Sequence, residues 1–130
     1  MNSLQTPTFT ATTAILPNSF FKISGDFKGA LAGVGDQPFG IVKSGTREAP
    51  IPNASANAAE IGDLIQGWGP GETAMVRVGS AITAGQFLKP DATGAAVPAL
   101  TAADLYGAQA LRSNASVGSL VEVFVSRGKV

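Results

Sequence analysis

Glycine and proline interrupt this chain so often that long helices have almost no room. There are 16 glycines and 8 prolines in 130 residues. Inside a helix each glycine costs about 1 kcal/mol and each proline about 3 kcal/mol relative to alanine. The runs left between these breaks are short, and several are rich in β-branched and aromatic residues, which favour strands. The strand candidates are residues 8–13, 20–23, 39–43, 73–78, 106–111 and 120–125. In the last of these, Val121, Val123 and Val125 alternate with Leu120, Glu122 and Phe124. An all-valine face beside a mixed one suits a sheet with one face in a core. The pattern predicts a mainly β chain.

One short helix is predicted, over about residues 58–66. Asn57 can cap it, and Glu60 completes a capping box. Ile61, Leu64 and Ile65 stand at i, i+3 and i+4, one apolar stripe, and Gly67 supplies a stop.

An internal repeat gives the domain its plan. Phe20 to Gly40 spans 21 residues, as does Phe87 to Gly107. In that register Phe20 matches Phe87, Lys22 matches Lys89, Ala32 matches Ala99, Phe39 matches Tyr106 and Gly40 matches Gly107. Each segment runs on into a strand and a serine-containing turn, and then to a glycine and a valine-rich strand. We therefore expect two pseudo-repeated halves, about residues 20–78 and 87–125, within one β domain spanning 18–130. The first half carries extra residues, about 47–67, with Pro50, Pro52 and the helix candidate. Such an insert must leave the sheet at an edge or an end. Residues 1–17 lie outside the repeat and read as an extended N-terminal arm.

Composition argues against catalysis. The chain has no histidine and no cysteine, so the usual general base, the thiolate nucleophile and most transition-metal ligands are missing. The nine acidic residues are scattered, and only Glu60 and Asp63 fall within three positions of each other. There is no Gly-x-Ser-x-Gly elbow and no Walker loop. Gly33-Val34-Gly35 opens like a dinucleotide fingerprint, but Pro38 stands where the third glycine belongs. We expect no enzyme, cofactor, metal or small-molecule substrate. Lys plus Arg equals Asp plus Glu, nine each, so no basic stripe is available for nucleic acid. No apolar run approaches the ~18 residues of a membrane helix, and residues 1–21 lack the charged n-region of a signal peptide. Charged residues make up only 14%, against about 25% in ordinary domains. A neutral, weakly charged surface favours association.

Three runs resemble the small decoration, or cement, proteins of tailed-phage capsids, among them the lambda-type head decoration protein. These are Ala81-Ile82-Thr83-Ala84-Gly85-Gln86-Phe87-Leu88-Lys89, then Gly94-Ala95-Ala96-Val97-Pro98-Ala99, then Tyr106-Gly107-Ala108-Gln109-Ala110-Leu111. Val117-Gly118-Ser119-Leu120-Val121-Glu122-Val123 is similar to the family's closing strand, and residues 10–15 and 20–25 to its start. The resemblance covers about residues 8–45 and 70–127, and not the insert. It implies a β-barrel or β-tulip-like protomer that forms homotrimers on the outer surface of the virion. There it would bridge major capsid protein subunits and stabilise the head. It also implies an N-terminal arm that pairs with a capsid strand: here Thr8, Phe9, Thr10, Ala11, Thr12, Thr13, Ile15 and Leu16. The apolar residues of the insert, Ile61, Leu64, Ile65 and Trp68, are the expected trimer contact. Two alternatives stay open: a carbohydrate- or receptor-binding β-module, because residues 82–86 also resemble the start of SAF-like sugar-binding domains, and a tail or baseplate β-module.

Overall fold

In a computed structural model the described residues are 9–42, 64, 65 and 67–130; they form eleven strands and no helix. The first half contains β1 (Phe9–Ala11), β2 (Phe20–Gly25), β3 (Lys28–Leu31), β4 (Gly40–Val42), β5 (Leu64–Ile65) and β6 (Gly67–Trp68). The second contains β7 (Thr73–Arg77), β8 (Phe87–Pro90), β9 (Ala96–Pro98), β10 (Leu105–Ala110) and β11 (Leu120–Lys129). The chain is mainly β, as its glycine and proline spacing predicts.

Each half makes one sheet. The first runs β5-β1-β3-β2-β4-β6, antiparallel throughout except for β1 beside β3. Its two edges, β5 and β6, are successive stretches of chain, so the sheet returns on itself. The second runs β7-β11-β10-β8-β9. A parallel bridge between Val78 and Ala96 brings its edges together.

The pairings of the two sheets correspond. Ala11 pairs parallel with Gly29, and 67 positions on Val78 pairs parallel with Ala96. Phe9 faces Ile65 as Val76 faces Val121. Ile41 faces Trp68 as Gln109 faces Phe124. Left-handed backbone recurs at matched turns: Asn18 (φ 55) with Gly85 (φ 91), Phe27 (φ 51) with Gly94 (φ 80), and Gly35 (φ 83) with Ala103 (φ 74).

This correspondence corrects the sequence alignment in three places. The turn between Ala99 and Asp104 is one residue longer than that between Ala32 and Asp36. The register therefore slips, and Phe39 matches Gly107 instead of Tyr106: Phe21 pairs with Gly40, but Leu88 pairs with Ala108. β7 is the first strand of the second half, the counterpart of β1, and not the closing strand of the first. Leu64 and Ile65 are strand rather than helix, because β5 is held by β1; a short apolar run fits either period, and pairing decides. Residues 58–63, including Ile61, lie outside the described residues. So do the extra residues of the first half, since 43–63 joins β4 to β5 where 111–119 joins β10 to β11.

The cores follow the repeat. Phe9, Ala11, Ile15, Phe21, Val42 and Ile65 fill the first half, with Leu31 and Phe39 against them. Their counterparts Val76, Val78, Ile82, Leu88, Ala110 and Val121 lie in the second, with Val123 and Val125. The valine face of β11 is buried, as its alternation predicts. Burying each large side chain contributes about 1.5–3 kcal/mol.

The expected N-terminal arm differs most from the structure. Over 9–11 it is β1, hydrogen-bonded to strands on both sides. Phe9 is 5% exposed, and Ala11 and Ile15 are buried. Thr12 N–H donates to the Gly29 carbonyl at 2.8 Å, and Thr13 Oγ1 accepts from Leu31 N–H at 3.0 Å. These threonines serve their own domain. Thr8 lies outside the described residues.

Candidate functional site: an open aromatic row

Strand alternation gives each half an outward row. In the first half, cross-strand register aligns Phe20, Ile41 and Trp68 over β2, β4 and β6. Their neighbour Phe21 points into the first core, so this row points away from it. Phe20 and Ile41 are fully buried within the second-half cluster, and Trp68 packs against that cluster. The second half therefore covers the row. Phe20 N–H donates to the Gly94 carbonyl at 2.9 Å, and Arg77 N–H donates to the Asn18 carbonyl at 2.8 Å. The Arg77 guanidinium donates to Ser19 Oγ at 2.7 Å, and Asn18 Nδ2 donates to the Met75 carbonyl at 3.0 Å. These contacts lock the halves together.

The matching row of the second half is Phe87, Gln109 and Phe124, over β8, β10 and β11. Phe87 is 37% exposed and Phe124 is 40% exposed. Tyr106 stacks on Phe87, with ring centroids 4.2 Å apart at 28°. Leu120 shares the outward face of β11 and is also exposed. Gln109 Nε2 donates to the Gly85 carbonyl at 3.0 Å, which holds its side chain along the sheet.

The charges bordering this row are paired. Lys89 Nζ lies 3.0 Å from Asp104, and Arg112 Nε lies 2.8 Å from Glu122. The Lys89 ammonium, followed by the Thr101 N–H, holds Asp104 below the ordinary carboxylate range. In the first half the Gly33 N–H, followed by Lys22, does the same for Asp36. Among the described residues no group of three or more acidic side chains is placed to hold a metal.

Of the residues expected to form the oligomer contact, Ile65 and Trp68 do not share one surface. Ile65 is in the first core, and Trp68 faces the second half. Leu64 is paired with Thr10 in β5, and Ile61 lies outside the described residues. The exposed row was missed, although the Phe20/Phe87 match and the alternation of β11 both pointed to it.

Two small closed sheets of one topology, fused through the outward face of the first, define a duplicated β-barrel protein. No protein-family model matches the sequence, and no curated protein does. Among solved structures the chain is similar to the N base of head fiber gp8.5 in bacteriophage phi29. The TM-score is 0.65 at 22% identity, covering 95% of this chain and 94% of that one. At this identity the shared property is the fold.

Proposed function

We propose that this chain is a non-enzymatic structural protein of a phage virion, carried on the outer surface of the head. The observation that carries the reading is the fold likeness to the N base of a phage head fiber over nearly the whole of both chains. The decoration-protein resemblance of residues 81–99 and 106–111 points the same way. On this reading the protein bridges major capsid protein subunits as a homotrimer and stabilises the filled head. A sugar-binding module would instead offer free Trp or Tyr ring faces. Trp68 packs against the core, and one face of Tyr106 is taken by Phe87.

Cryo-microscopy of purified virions is the test. Density matching the two-barrel fold on the outer shell is the expected result. Density in the tail or baseplate, or none on the virion, overturns it. Bridging has its own measurement: heads carrying the protein should release DNA at a higher temperature than bare heads.

A further inference from the structure

We propose that the open row Phe87–Gln109–Phe124, with Tyr106 stacked at its end, is a self-association face, and that its occupant is the same row of a second copy of this chain. This gives a face to the homotrimer of the proposed function and rests, within that reading, on self-association alone.

The repeat supplies the first reason. The counterpart row Phe20–Ile41–Trp68 is covered, and what covers it is a unit of the same fold. A second copy supplies another such unit. Electrostatics supplies the second. Lys89 is paired with Asp104 and Arg112 with Glu122, so an approaching surface at these borders meets paired charges. The chain has no net charge, so copies do not repel one another at long range.

The turn at Phe27 decides which surface of the second copy is met. Repeating the internal docking would place the open row of one copy on the first half of the next. The receiving turn in the second half is Gly94, where an added Cβ would lie 3.1 Å from Ser19 Cβ and 3.4 Å from the Phe20 carbonyl oxygen. Its counterpart in the first half is Phe27, 70% exposed. A phenyl ring stands where the internal contact tolerates only a hydrogen atom, so the internal contact is not reproduced there. Head-to-tail repetition closes only when its rotation divides a full turn and otherwise leaves an open filament, whereas rows meeting around a rotation axis close by symmetry.

The test uses the full chain. Sedimentation equilibrium should give a closed oligomer for the wild type. Phe87→Ser with Phe124→Ser should weaken association by about 100-fold or more, as loss of buried aromatic anchors does. Leu100→Ser, at an exposed apolar site on a loop, should leave it unchanged. A second measurement does not depend on the double variant folding. The chain has no cysteine, so Gln109→Cys introduces a single thiol at the centre of the row. Mild oxidation should then give a covalent dimer, and Leu100→Cys should give none. A wild type that stays monomeric at its highest soluble concentration, association unaffected by the double variant, or equal cross-linking of the two cysteine variants overturns the proposal. Association of the isolated chain is measured without heads, so the head location and the self-association face fail separately.

Discussion

Asp36 and Asp104 hold the same corner of the two halves. Asp36 accepts the Gly33 N–H at 2.9 Å and the Lys22 ammonium at 3.0 Å. Asp104 accepts the Thr101 N–H at 3.1 Å and the Lys89 ammonium at 3.0 Å. Each closes the turn that returns the chain toward the next strand, and each ties that turn to the hairpin strand carrying the lysine.

This corner predicts how stability depends on pH. Both carboxyls are held below their ordinary value of about 3.9. Their contribution is therefore complete above that value and is lost as pH falls through the lower, folded value. The thermal midpoint should be flat from neutral pH down to about 5 and fall below about 4. Asp36→Asn combined with Asp104→Asn should blunt the fall; an equally steep fall in the double variant would count against the corner. Asp36→Ala alone should cost about 1 kcal/mol, as loss of a partly exposed hydrogen-bonded pair does.

Equivalent phenylalanines should respond unequally. Phe20 is fully buried between the halves. Phe20→Ala should cost about 3–5 kcal/mol in denaturant unfolding. Phe87→Ala removes a ring that is 37% exposed, and in the monomer should cost only about 1–2 kcal/mol. Equal losses would mean that the second row is covered within the chain.

Two left-handed glycines separate strain from crowding. At Gly85 (φ 91) nothing lies within 4 Å of an added Cβ, so Gly85→Ala should cost about 1 kcal/mol, the left-handed penalty alone. At Gly94 (φ 80) the Cβ would also meet Leu31, Ser19 and the Phe20 carbonyl. Gly94→Ala should cost about 2–4 kcal/mol. Calorimetry of the two variants measures the difference directly.

Removal of residues 1–11 should abolish folding, because β1 lies between β3 and β5 and contributes Phe9 and Ala11 to the first core. Loss of the cooperative unfolding transition is the expected readout. A folded truncation would restore the arm that the threonine-rich pattern suggested.

Local pattern in the sequence is enough to set the strand class and to mark the duplication. Glycine and proline left no room for long helices, the alternation of 120–125 marked which side of β11 is buried, and the Phe20/Phe87 and Lys22/Lys89 matches found corresponding positions. Local pattern carries these because backbone propensity and side-chain alternation act over a few residues. It did not carry the register slip at Phe39, since one extra residue in a turn leaves no mark in composition. Nor did it show that 64–65 is strand or that β7 opens the second half, because both depend on partners far along the chain. The contrast between Phe20 and Phe87 was least legible of all. Both stand at the start of a strand and point outward from their own barrel. One is buried and the other open because the second half packs on the outward row of the first, while among the described residues no element covers the outward row of the second. That outcome belongs to contacts between whole sheets, which the residues around either phenylalanine do not encode.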